Sequence, residues 1–400
     1  MSKPKQTYIP YMGDHSYIIA AALESFGVPA EVLPTPDDES TKLGLDLVLG
    51  RECAPCMMTV GDMIQMARKP GFDPANVAIL MPTAPGPCRF GQYSVLQRHL
   101  HDELGLEQIE ILSPSSSNSY HGFGDNPLRM RLLAWDGVVA LDLLQQLVHR
   151  HRPYEVEKGA VDKLYAEGLD RIVSDTRNQD HELVEVMVWC AEQFGKLEID
   201  ETEQRPLIGI VGEIYVRFSP YANQDIIRRV EKLGGEVQLA SMMEWLYLTT
   251  FNPGYYALKR GDFLGFLSSA ATEKYQRHRE RVLTRPVARL LRHAYEQPTR
   301  KMKDSVRKYL EPTIETEAIL TLGKAIELAE QGVSGILAVM PFSCMPGILT
   351  AAIAPRLRAD LDNIPWLDVS FDLQKSTNIQ TRLEAFMSQS RHYQRRSLVA

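Results

Sequence analysis

Four of the five cysteines in this 400-residue chain lie in turns, each with a proline within two positions. Cys53 and Cys56 enclose Pro55, Cys88 follows Pro87, and Cys344 precedes Pro346. Proline stiffens a turn and removes a backbone donor, and it recurs beside cluster-ligating cysteines. Four thiolates drawn from separate stretches would repel one another without a cation. An iron–sulfur cluster, usually held by four thiolates, supplies that cation. Three other readings stand beside it. Cys53 and Cys56 could form a thioredoxin-like redox pair, although that motif normally follows a strand and here follows a helix. A structural zinc site would prefer two close Cys-x-x-Cys knuckles, and here the second pair is split between Cys88 and Cys344. The four could also be unrelated buried thiols. Cys190 differs, because it lies in the apolar helical stretch Leu183–Phe194 and reads as core.

Other chemistry-bearing side chains cluster near strand ends. Arg51 and Arg89 flank the cysteines and could offset cluster charge. Glu213 and Arg217 follow an apolar strand, and His121 lies in a polar loop of the kind that touches ligands. These last three are the candidate catalytic groups. The plainer readings are a salt bridge or domain contact for the first two and an idle loop histidine for the third. His149 and His151 alternate with arginines in a basic run and receive no role, while Asp62 braces the helix after the Cys-x-x-Cys turn.

The elements that must position these groups alternate strand and helix. Strands are expected at Thr7–Gly13, Ala30–Leu33, Val77–Met81 and Ile109–Leu112, then at Leu207–Val211, Glu236–Ala240, Gly335–Met340 and Trp366–Phe371. Helices are expected between them, among them Ser16–Phe26, Leu43–Leu49, Met57–Ala67, Asn223–Lys232 and Thr381–Gln389. Such spacing implies parallel sheets with right-handed crossovers, whose ligands collect beyond the carboxyl ends of the strands. Cys88 and Cys344 each follow a strand, where that rule puts functional groups. The fold class read from this is α/β, with two Rossmann-like parallel-sheet domains, helical insertions, and the site between them. Residues 1–127 form the first domain, 128–205 a helical insert and linker, and 206–400 the second domain with its own insert. No internal sequence repeat is evident.

Composition narrows the function classes. The hydrophobic fraction of 44% and charged fraction of 24% are those of an ordinary globular protein. A net charge of −7 argues against a general nucleic-acid binder, which needs a basic face. No apolar run reaches the roughly 20 residues that span a bilayer, and the polar start has no signal-peptide core. A cytoplasmic location is expected, where structural disulfides are rare. A phosphate loop of the form Gly-x-x-x-x-Gly-Lys-Ser/Thr is missing, because Gly323-Lys324 lacks the preceding glycine and falls in a helix.

Gly50-Arg51-Glu52-Cys53-Ala54-Pro55-Cys56, with Thr59 and Gly61-Asp62, resembles the first cysteine motif of the 2-hydroxyacyl-CoA dehydratase family. The likeness is greatest to the related C-terminal region of CoA-substrate-specific enzyme activases. Gly86-Pro87-Cys88-Arg89-Phe90-Gly91-Gln92-Tyr93 resembles their second motif, and Gly212–Arg217 the opening of their second α/β domain. Pro341–Gly347 and Thr381–Phe386 resemble the closing motifs. The resemblance runs from about Tyr8 to Phe386. It implies an oxygen-sensitive, low-potential 4Fe-4S cluster held by Cys53, Cys56, Cys88 and Cys344. It further implies a reductase or radical dehydratase component acting on acyl-CoA thioesters, charged by a separate ATP-hydrolysing activator protein and working as a homo- or heterodimer. The family's dehydratases hold their cluster by three cysteines and leave one iron open. Four placed cysteines depart from that pattern and keep two alternatives in view: an electron relay serving a true dehydratase, and a zinc-stabilised binding protein.

Overall fold

A computed structural model describes residues 4–84, 86–115, 123, 126–314, 316–373 and 378–399. Its first sheet holds β1 (Gln6–Ile9), β2 (Ala30–Val32), β3 (Val77–Leu80) and β4 (Glu110–Leu112), all parallel, in the order β2-β1-β3-β4. The connections carry α1 (His15–Ser25), α2 (Asp38–Leu47), α3 (Ala54–Ala67) and α4 (Tyr93–Glu103). Three long helices follow, α5 (Pro127–His151), α6 (Ala160–Asn178) and α7 (Leu183–Gly195). Then come β5 (Leu207–Gly212), α8 (Ile214–Phe218), α9 (Ile226–Lys232) and β6 (Glu236–Leu239). The helices α10 (Met242–Lys259), α11 (Phe263–Thr284), α12 (Thr299–Val306) and α13 (Glu317–Glu330) lead to β7 (Gly335–Pro341). The chain closes with α14 (Met345–Asp360), β8 (Trp366–Phe371) and α15 (Ile379–Val399). The second sheet is also all parallel, in the order β6-β5-β7-β8. The two orders are the same, so the structure repeats a topology that the sequence does not show as a repeat.

The strands are short apolar runs because parallel strands are covered on both faces. All seven residues of β7 are buried. Helix bounds follow local chemistry. α2 begins earlier than apolar spacing alone indicates, because Asp37 caps it: its carboxylate accepts from the Ser40 amide at 2.7 Å, and its own amide donates to the Ser40 hydroxyl at 3.1 Å. α15 is likewise longer than Thr381–Gln389.

The stretch expected to be a helical insert is helical, and its core is shared. Leu144 and Leu147 of α5 and Cys190 of α7 pack with Ile18 of α1, Tyr247 of α10 and Leu283 of α11. Each such side chain contributes ~1.5–3 kcal/mol when sealed from water. Asp142 of α5 fastens this layer to both sheets. Its buried carboxylate accepts from His15 at 3.0 Å and from the Met242 and Met243 amides at 3.2 and 2.9 Å. The first unit also reaches into the second core through Met58 of α3. Tyr221 adds a bond to Asp38 at 2.8 Å. Among the described residues, no helix is long and apolar enough to cross a membrane.

α3 carries the Cys-x-x-Cys turn, and its seat is set by two glycines. A Cβ on Gly61 would lie 1.8 Å from the Ser40 carbonyl oxygen, and one on Gly44 would lie 1.9 Å from that of Met57. The two helices therefore touch backbone to backbone. Gly61→Ala is expected to destabilise the fold by ~3 kcal/mol or more, since backbone rather than a flexible side chain must move. Denaturant unfolding checks this, and a loss below about 1 kcal/mol would contradict the backbone-contact account.

Candidate metal centre

Three of the four turn cysteines occupy helix N-caps. Cys53 caps α3, Cys344 caps α14, and Cys88 caps the short 3-10 turn Arg89–Gln92 that runs into α4. Cys56 lies in the first turn of α3, where its amide donates to the Cys53 carbonyl at 2.9 Å. Pro55 and Pro346 are the second residue of each helix, within the first turn, where a missing N–H costs nothing. Cys53, Cys56 and Cys344 are buried and Cys88 is half-buried, and none is in a disulfide. Ser343, just before Cys344, adopts a left-handed φ of 55° and turns the chain into α14.

Arg89 draws these turns together. Its guanidinium donates to the Arg51 carbonyl, two residues before Cys53, and to the Ser343 carbonyl, one residue before Cys344. The same side chain follows Cys88 in sequence. One rigid fork thus joins all three cysteine-bearing loops, and Arg89 and Ser343 stand 254 residues apart in sequence. The four thiols form a run of electrostatic neighbours. Burial raises the pKa of each. Cys53 further raises Cys56 and Cys88, and Cys88 further raises Cys344. The Cys88 thiol is pushed up to about 12. The Cys53 sulfur also stands 2.5 Å from the buried Tyr93 hydroxyl.

Two carboxyl groups face this sulfur array. Glu213 follows β5, caps α8 by accepting from the Val216 amide at 2.8 Å, and adds its charge to the field at Cys53, Cys88 and Cys344. Gly212 makes that turn possible. Its φ is 129°, and a Cβ there would sit 2.0 Å from the Val339 carbonyl oxygen. Glu317, at the start of α13, accepts from the Ile214 amide at 3.3 Å. Burial pushes Glu213 up to about 7. Burial and then the Glu213 charge push Glu317 up to about 8. Asp62, buried on α3 below the thiols, is raised to about 7, again by burial.

The predicted residues therefore divide. Cys53, Cys56, Cys88, Cys344 and Glu213 come together. Arg217 lies behind Glu213 and commits its guanidinium to Glu244 at 2.7 Å and to the Ser241 carbonyl at 3.3 Å. It is a positioning residue that lowers the pKa of both facing glutamates. His121 lies outside the described residues. Cys190 is fully sealed in the helical core. Lys324, of the Gly323-Lys324 pair, is buried in ion pairs with Glu296 at 2.5 Å and Glu327 at 3.0 Å. Sequence reading did not single out Tyr93 or Glu317 as site residues. Tyr93 lies inside the second cysteine motif, which was a usable signal, whereas nothing in sequence marks Glu317.

Among the described residues, no three His, Cys, Asp or Glu side chains are grouped so as to hold a metal ion. The donor chemistry nonetheless fits a cluster. It offers four free thiols on three turns, and each iron of a multi-iron group takes one thiolate. A single zinc would need four donors at about 2.3 Å from one centre.

Two outcomes test this geometry. Lysine cannot reach two carbonyls with one planar fork, so Arg89→Lys is expected to label Cys88 and Cys344 with a thiol reagent roughly 5–30-fold faster. Unchanged labelling would show that the loops meet without the clasp. The raised glutamates mean that the folded chain holds protons the unfolded chain releases, so stability falls as pH rises from the usual 4.5 through about 8. Glu317→Gln should raise the melting temperature by about 2–4 °C at pH 8 and barely change it at pH 5, as read by calorimetry. An equal shift at both pH values would contradict the assignment. No protein-family model and no curated protein matches this chain, so its geometry carries the functional argument.

Proposed function

We propose that this chain is a low-potential 4Fe-4S protein that acts as a reductase or radical dehydratase component on CoA thioesters, charged by a separate ATP-hydrolysing electron donor. The observation that supports this reading is a run of four free thiols, neighbours in pairs, on three loops that the Arg89 side chain joins beyond the carboxyl ends of β3 and β7. That place is where open α/β folds collect ligands. The cysteine motifs that resemble the 2-hydroxyacyl-CoA dehydratase family supply the substrate class.

When bound, such a cluster supplies one-electron transfer at low potential. The chain's own residues do the rest. Cys53, Cys56, Cys88 and Cys344 would hold it, losing their protons as they do so. Their burial keeps water away, and the Tyr93 hydroxyl beside Cys53 sets the polarity at one ligand. Burial raises Glu213 to about 7 and Glu317 to about 8, so either can give or take a proton at the site near neutral pH. Exposed Leu49, Phe342 and Ile348 border the cysteine turns and suit a protein partner better than water. The fourth thiol favours a second reading, an electron relay to a separate dehydratase, because four thiolates leave no iron open.

Anaerobic purification and metal analysis test the first claim. About four irons per chain are expected, with matching sulfide and a brown colour. Serine at any of the four turn cysteines should lower iron content, and Cys190→Ser should leave it unchanged. Zinc without iron, or a colourless iron-free protein, would overturn the reading. Acyl-CoA thioesters added to the reduced protein should perturb its EPR signal, and indifference to all of them would select the relay.

A further inference from the structure

A second site lies at the opposite pole of the second sheet. Asn363 and Pro365 precede β8, so they stand beyond its amino end, whereas Cys344 follows the carboxyl end of β7. Arg358 is also fourteen residues along from Cys344, roughly 21 Å at the helical rise. Here the end of α14, the turn before β8 and one face of α15 enclose a groove of about 490 Å³. Arg358, Asn363, Gln389, His392, Tyr393 and Arg396 line it. We propose that this groove binds a phosphate-bearing small molecule of nucleotide size. The inference is independent of the cluster.

Charge is the first argument. The chain as a whole carries −7, yet the groove is lined by Arg358 of α14 and Arg396 of α15. Among the described residues, no carboxylate lines the groove. The nearby acids are already taken: Asp362 by Arg396 at 2.7 Å, and Asp360 by Lys308 at 2.8 Å and Tyr309 at 2.6 Å. The second argument is an unmet donor. The Arg358 Nε is out of solvent with no hydrogen-bond partner, and a buried guanidinium donor is costly to leave so. Guanidinium matches phosphate oxygens two at a time. The third argument is shape. The volume falls within the roughly 300–1,000 Å³ of small-molecule sites. Tyr393 and Pro365 give a flat apolar wall for a ring, and Asn363, Gln389 and His392 add polar edges. Asp362 and Asn363 are both left-handed, each with φ 54°. The turn is pinned by the Asn363 amide, which donates to the Arg358 carbonyl at 2.9 Å.

Calorimetric titration of the full chain with ADP and with inorganic pyrophosphate, at physiological salt, decides the matter. ADP binding is expected, weakened roughly 10–100-fold by Arg358→Gln and less by His392→Ala. Cys344→Ser should leave it unchanged, which separates the groove from the sulfur site. Equal affinity for pyrophosphate supports phosphate recognition without the ring. If Arg358→Gln alters the circular dichroism spectrum, Gln389→Ala and Arg396→Gln take its place. Absence of binding by either probe at millimolar concentration overturns the proposal, as does binding that no groove substitution weakens.

Discussion

Burial drives every acidic group at the sulfur site toward its protonated form. The four thiols and the two facing carboxyls are all raised, and desolvation is the first cause in each case. An array of that kind is tolerable in a folded chain only while it stays neutral or meets positive charge. Arg89 brings some charge, and it pulls Cys53 and Cys56 down. Its fork finds its acceptors only when the carboxyl ends of both sheets abut. That abutment depends on groups far from the sulfur: the sealed Asp142 beneath α10, the Tyr221–Asp38 bond, and Met58 in the second core. The site is thus a product of the join between two units rather than of either one.

The two units are related by more than strand order. β1 is followed by Gly13-Asp14 and β5 by Gly212-Glu213, and both glycines have positive φ. In each case the acid stands at the N-cap of the next helix, and the Glu213 carboxylate also accepts a first-turn amide there. β3 and β7 are each followed by a cysteine at a helix or turn cap, Cys88 and Cys344. The helix before β3 opens with Cys53, whereas the helix before β7 opens with Thr316 and Glu317. One scaffold has therefore been decorated twice, with sulfur at the last of these positions in the first unit and a carboxyl group in the second. This accounts for a site with three thiols from one side and one thiol plus two carboxyls from the other.

Much of this was legible in the amino-acid order. Apolar runs such as Val77–Met81, Gly335–Met340 and Trp366–Phe371 announce parallel strands, and the turns after the first two place Cys88 and Cys344 beyond the strands' carboxyl ends. What the order hides is what side chains do across long separations. Arg89 read as one flanking charge among many, because the 254 residues between it and Ser343 close only in the fold. Glu317 opens an ordinary amphipathic helix, and its proximity to Glu213 follows from strand order alone. The bounds of α2 were missed for a nearer reason, since the reciprocal bonds of Asp37 and Ser40 extend the helix beyond its apolar stripe.

The caps set the cysteines apart by their local energetics. Serine, threonine, aspartate and asparagine are the strong helix caps, worth ~1 kcal/mol each over a residue that cannot cap. Elsewhere Asp37, Asp262 and Thr316 each accept a first-turn amide, whereas Asp14 and Ser241 at their caps accept none. At Cys53, Cys88 and Cys344 the cap side chain accepts none. Serine is nearly the same size and would satisfy those amides, so local stability favours it at all three positions. Cysteine there leaves the amide ends of α3 and α14 aimed at the sulfur array, where helix dipoles favour negative charge. The bare fold is thereby made less stable than it could be, in the one place where a ligand binding thiolate could return the difference.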